Sequence, residues 1–238
     1  MVLVRDLRKL ERFNLLRLKG ELTGPAVVYV KCDFDEANLR GLLRNVENLS
    51  DSGEYSVFSG TYNGKHVNFL GTGSGPASLL SPLLEFQPSK LTAILRIGAC
   101  GGLGKATTNR VVVCEGAVCS DAVSSALAGR GIVRADGTLV EELTSALDAE
   151  GVECVCKLVV SVDAMYLFER NLTKGVRKGA FCWDLESATT LAFGKACGLS
   201  AASLLLVVSD VKGNSVRSYP PIRRLDFVKV SLDVLTAR

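Results

Sequence analysis

Histidine is nearly absent from this chain, with His66 the only one. A histidine-based zinc site therefore has few ligands to draw on. The eight cysteines do not replace them, because none forms Cys-x-x-Cys. Long apolar runs are also missing, and none approaches the roughly 18 residues of a membrane span. The opening MVLVRDLRKLERF is charged throughout and lacks the apolar centre of a signal peptide. Neither charge sign dominates: 28 Lys and Arg face 25 Asp and Glu, leaving +3. That balance lacks the basic excess of a nucleic-acid binder. The expectation is a cytoplasmic protein with no metal, no nucleic-acid partner and no membrane. Linkers, repeats and low-complexity stretches are absent as well, so residues 1–238 read as one domain.

The chain has ample apolar material, with 47% hydrophobic residues and a mean hydropathy of +0.25. Most cysteines sit inside apolar runs such as VVVCEGAV and GKACGL, where they read as small buried hydrophobes. Cys154 and Cys156 share a face if ECVCKLVV is a strand, which keeps them from bonding each other. Buried strands are expected at 26–31, 91–98, 110–118, 154–162, 181–185 and 201–210. YSVFSGTY and KHVNFLGTG flank Asn63-Gly64, a strong hairpin signal, and place His66 on a hairpin strand. Helices are expected over 76–86, over 187–198 ending at Gly198, and at the C-terminus with proline at its start. Another follows a Thr138–Glu141 capping box and stops at Gly151. Strands alternating with helices, and nearly all-apolar central strands, predict an α/β sheet covered on both faces. Ligands of such sheets gather at the carboxyl ends of the strands.

Two glycine-rich loops lie there, GTGSG at 71–75 and GACGGLG at 98–104. Neither is an ordinary nucleotide loop. A P-loop ending at Gly104-Lys105 needs glycine at 99 and Ser or Thr at 106, and both positions are alanine. The dinucleotide pattern G-x-G-x-x-G fails at both. Arg96 stands two residues before the second loop in an otherwise apolar strand. A buried arginine needs an anionic partner, either a protein carboxylate or a bound anion.

The segments GTGSGPAS (71–78), LRIGACGGLG (95–104), SVDAMYLF (161–168), DLESATTLA (184–192) and VVSDVKGN (207–214) occur in that order. Together they resemble the nucleoside phosphorylase superfamily of the purine nucleoside phosphorylase and uridine phosphorylase type. The resemblance covers roughly residues 22 to 215. It implies a three-layer α/β sandwich around a twisted mixed, mostly parallel sheet. It also implies a homo-oligomer, a hexamer or, as in related nucleosidases, a dimer. The implied reaction cleaves the N-glycosidic bond of a nucleoside with inorganic phosphate as co-substrate and no other cofactor. Glu186 matches the glutamate that accepts the ribose hydroxyls, and Asp210 the acid that assists a departing purine. Ser209, Asp184, Leu185, Ser74, Met165 and Tyr166 match positions around the nucleoside. Arg96, Gly73, Ala99 and Glu36 fall at phosphate positions, and Asn14 where a neighbouring subunit contributes.

Several matching positions depart from the family pattern. The first phosphate loop is Gly-Asp-Pro-x-Arg in the family and Cys32-Asp33-Phe34-Asp35-Glu36 here. A Ser or Thr has become Ala99, and the neighbour's arginine falls near Gly53. Met165 replaces an aromatic, and Ser74 a methionine or isoleucine. A carboxylate about 5 Å from phosphate adds roughly 3 kcal/mol of repulsion per charge pair at an effective dielectric of 20. Asp35-Glu36 also resembles the acidic stretch of hydrolytic nucleosidases, in which a glutamate lies near the attacking water. The alternatives to purine phosphorolysis are thus hydrolysis with Glu36 near the water, uridine phosphorolysis, and non-catalytic nucleoside binding. An arginine among Arg217, Arg223 and Arg224 is a further candidate partner for Asp210.

Overall fold

The structure is a computed structural model that describes residues 15–19, 22–86, 90–104, 106–164, 176, 178–210 and 222–238. Ten strands join in one sheet. They are β1 (Thr23–Val30), β2 (Arg44–Ser52), β3 (Tyr55–Tyr62), β4 (Lys65–Thr72), β5 (Lys90–Gly102), β6 (Val111–Cys119), β7 (Ile132–Arg134), β8 (Cys154–Ser161), β9 (Cys182–Asp184) and β10 (Ser200–Asp210). Six helices are described: α1 (Glu36–Arg40), α2 (Pro76–Phe86), α3 (Ala122–Ala128), α4 (Gly137–Ala149), α5 (Ser187–Cys197) and α6 (Asp226–Ala237).

The sheet is mixed. β1 pairs in parallel with β4 and β5, β5 with β10, and β8 with β6 and β9. The β2–β3, β3–β4, β5–β9, β6–β7 and β6–β10 pairs run antiparallel. This antiparallel share is larger than the strand–helix alternation suggests. It comes from the hairpin and from β10 lying between β5 and β6. β5, β10, β6, β8 and β9 thereby close into a ring.

Strand alternation sorts the core into layers. Leu95, Ile97, Leu204 and Leu206 pack with Leu139, Leu143 and Leu147 of α4 and Phe227 of α6. Cys100, Leu205 and Val207 face the other way, toward Ala188, Leu191 and Ala192 of α5. α2 closes a further cluster with Val28, Ile94 and Phe193. Burying a large apolar side chain contributes about 1.5–3 kcal/mol, so these layers dominate the stability of the fold.

Local signals explain most of the turns. Asn63 and Gly64 both take positive φ (48° and 77°), as a two-residue turn with the twist of its strands requires. Gly198 ends α5 in the left-handed region. Two expectations are corrected. α4 is capped by Asp136, whose carboxylate accepts from the Leu139 N–H at 2.9 Å, so Thr138 lies inside the helix and the Thr138–Glu141 capping box does not form. α6 starts at Asp226, not at the prolines. Ile222 to Leu225 precede it without helical structure, and Pro220 and Pro221 lie outside the described residues. β2 has no counterpart among the expected strands: RNVENLSDS is polar, and its pairing with β3 is interrupted by two register shifts.

Candidate active site

Arg96 lies on β5, on the face toward α2 and α5, and only 2% of it is exposed. Its Nη2 donates to Glu186 Oε2 at 2.6 Å. Its Nη1 lies 3.3 Å from Asp184 Oδ2, close enough for charge but misaligned, and makes no hydrogen bond among the described residues. Asp33 approaches from the loop after β1 and accepts the Ala99 N–H at 2.9 Å. Gly98 makes this crowding possible. A Cβ there would stand 2.8 Å from Arg96 Nη1 and 2.9 Å from Asp33 Oδ2.

Burial works against the charge on Arg96, but Asp184, Glu186 and Asp33 outweigh it and raise its pKa. Glu186 is shifted upward, chiefly by burial and also by the negative charges of Asp184 and Asp33. Arg96 and the Gly75 N–H oppose the shift. That N–H donates to Glu186 Oε1 at 2.7 Å. Gly75 precedes α2 and Glu186 precedes α5, so two helix N-termini converge on one carboxylate.

Asp184 acts as a fastener. Its Oδ1 accepts from Ser161 Oγ at 2.6 Å. Its Oδ2 accepts from the Ser187 N–H at 3.0 Å and Ser187 Oγ at 2.6 Å. It thereby ties β8 and α5 to β9. Leu185 packs with Leu103, Val118, Val160 and Val162 at the same ends of the strands. Ser209 and Asp210 end β10 opposite Gly101 and Gly102. A Cβ on Gly73 would overlap the Glu54 carboxylate, which accepts from Ser78 Oγ, and Ser74 is exposed between Gly73 and Gly75.

Of the residues singled out from sequence, the structure brings Arg96, Ala99, Asp184 and Glu186 together, and Leu185, Ser209 and Asp210 flank them. Met165, Tyr166, Asn14 and Arg217 lie outside the described residues, as does the Asp210 side chain. Arg224 is engaged elsewhere, with Asp226 and the Asn109 carbonyl. Asp33, quoted above only within the altered first loop, also belongs to the site through its bond to the Ala99 N–H. Among the described residues, no group of three or more His, Cys, Asp or Glu side chains is placed to hold a metal ion.

Glu36 has a different set of partners. It opens α1, where Asp35 caps the helix. Its Oε1 accepts from Arg40 Nε and pairs with Nη2, both at 2.7 Å. Its Oε2 accepts from Tyr29 at 2.7 Å and from Ser56 at 2.6 Å. Burial pushes its pKa up, but the bonds from Ser56, Tyr29 and Arg40 outweigh this and leave it lowered from 4.5. A carboxylate stabilised in its charged form by four donor contacts is a weak base. Folding lowers this pKa, so the contribution is complete above the ordinary value and fades as pH falls through the lowered one. Glu36→Gln is expected to cost about 1–2 kcal/mol at pH 7 and progressively less as pH falls through the lowered pKa, as read from urea midpoints at a series of acidic pH values.

Residues 25–220 match the family model of the phosphorylase superfamily. The chain belongs to that superfamily. It is similar to the DeoD-type purine nucleoside phosphorylase of Bacillus subtilis (strain 168), 27% identical over 173 residues, covering 71% of this chain and 74% of that one. The DeoD-type enzyme of Bacillus thuringiensis (strain Al Hakam) is 27% identical over 159 residues, covering 65% of this chain and 68% of that one. Among solved structures it resembles uridine phosphorylase from Vibrio fischeri ES114 complexed with 6-hydroxy-1-naphthoic acid. The TM-score is 0.72 and the identity 25%, over 89% of this chain and 86% of that one.

Proposed function

We propose that the protein cleaves the N-glycosidic bond of a purine nucleoside and transfers the pentose to inorganic phosphate, acting as a homo-oligomer. The observation that carries this reading is the buried Arg96–Glu186 pair, fastened by the Gly75 N–H at the carboxyl ends of the strands. Ribose hydroxyls donate to Glu186 in place of Arg96. The guanidinium is then released toward the phosphate, with Nη1 already lacking a hydrogen bond among the described residues. The negative charge of Glu186 favours the positive charge that develops on the pentose as the bond breaks. Asp210, at the end of β10, assists the leaving base, and this aspartate is the reason to favour a purine.

A second reading is hydrolysis. It is favoured by the negative charge around Arg96, where three carboxylates face one guanidinium and Asp33 already holds the Ala99 N–H. Glu36, tied to Arg40, Tyr29 and Ser56, is a weaker base for such a reaction than a carboxylate without those donors. The test is to incubate the protein with inosine, adenosine, methylthioadenosine and uridine, each with and without phosphate. The proposal expects ribose 1-phosphate from inosine or adenosine only when phosphate is present. Free ribose formed without phosphate would overturn phosphorolysis in favour of hydrolysis.

A further inference from the structure

We propose that the β2 edge of the sheet carries a second ligand site, which holds the phosphate group of a small organic phosphate monoester. The segment from Leu15 to Lys19 runs along β2, and the two border an open cavity of about 620 Å³. The segment is fastened at both ends. The N–H groups of Leu15 and Leu16 donate to the Glu85 carboxylate near the end of α2. The Lys19 N–H donates to the Leu49 carbonyl at 3.0 Å, and Ser50 Oγ donates to the Leu16 carbonyl. Between these ties Arg17 takes a φ of 47°, a conformation uncommon outside glycine. Side chains two apart on a strand share a face, and Asn48, Ser50 and Ser52 line the wall that β2 supplies.

The chemistry of the cavity is one-sided. Arg17 and Lys19 line it, are exposed, and form no ion pair among the described residues. Asn48 Oδ1 accepts from Arg40 Nη1 at 2.7 Å, which leaves the Asn48 NH2 to donate. Ser52 Oγ is shielded from bulk water and has no partner among the described residues. Among the described residues no carboxylate lines the cavity. The groups left over are two cations, an amide NH2 and a hydroxyl. A phosphate monoester answers them, with two negative charges and oxygens that match the fork of a guanidinium. Leu15, 41% exposed, and Leu16 offer an apolar wall to the rest of the molecule. The volume falls in the range of small-molecule sites and is larger than inorganic phosphate alone needs. β1, β4 and β3 separate β2 from β5 and its Arg96, about 19 Å at the usual strand spacing. The cavity is thus not part of the Arg96 site of its own chain, and the inference does not rest on the proposed function.

The probe is ribose 5-phosphate, titrated into the protein by calorimetry. Saturable binding is expected, and its absence at millimolar concentration would overturn the inference. In the double variant Arg17→Gln/Lys19→Gln the affinity should fall about ten-fold or more, and in Ser52→Ala about five-fold. Unchanged binding in the double variant would place the ligand elsewhere and end the proposal. Lys65→Gln/Lys157→Gln removes the same charge from other exposed positions and should leave binding unaltered. An equal loss in that control would reduce the effect to net charge, which also defeats a built site. Nucleoside cleavage without ribose 5-phosphate should be the same in Arg17→Gln/Lys19→Gln as in the parent. A joint loss of cleavage and of phosphate affinity would instead assign the two cations to the catalytic site of a neighbouring copy. If the protein cleaves no nucleoside, the proposed reaction fails and the calorimetry still decides this site.

Discussion

Replacing Arg96 with methionine is expected to destabilise the protein by about 3–5 kcal/mol at pH 8, because a buried cation is removed from among carboxylates that remain. Asp33, Asp184 and Glu186 would then face one another with no guanidinium between them. The pH dependence gives the sharper test. Burial already holds the Glu186 carboxyl above its ordinary value and Arg96 opposes that, so without Arg96 the carboxyl rises further above its unfolded value and the folded state binds protons more tightly. Stability therefore falls as pH rises through the raised value and recovers on acidification. Urea midpoints at pH 5 and pH 8 should differ in the variant, with the higher midpoint at pH 5. Equal midpoints would mean that the three carboxylates relax apart. Nucleoside cleavage should be lost at either pH.

Glu186→Gln should produce a different pattern, a large loss of activity with a smaller loss of stability than Arg96→Met. The amide oxygen can still accept from the Gly75 N–H, but its NH2 then faces the Arg96 guanidinium, so one acceptor is lost along with the charge. Losing a group that stabilises developing charge costs roughly 100- to 1000-fold in rate, and kcat/KM for the nucleoside should fall by that much. The melting temperature should fall less than in Arg96→Met, because Arg96 retains the charges of Asp184 and Asp33. Activity within three-fold of the parent would remove Glu186 from the mechanism. A collapse in melting temperature would make it a structural residue.

The contrast between these two residues shows what the sequence can reveal. Each is visible alone, Arg96 as a charge in an apolar strand and Glu186 as a carboxylate at a helix start. That they bond each other across 90 positions is not visible, because it depends on β5 and β9 meeting. The central strands are legible because burial on both faces leaves them almost wholly apolar. β2 is not, since it is polar and irregular. Glu36 draws attention by its place in a motif, but Tyr29 of β1 and Ser56 of β3 determine what it does.

The ring of five strands has a consequence for how the site floor behaves over time. The backbone from Arg96 to Gly102 is paired with β10 along its length, with β1 on its first residue and with β9 on its last two. Opening it means breaking more than one ladder together, and the ring leaves no free end from which to peel. Local fluctuations therefore stop at the rim. The glycines and Arg96 should exchange their amide hydrogens only when the whole sheet comes apart. A ligand then meets a floor that is already set, and none of its binding energy goes into ordering that backbone.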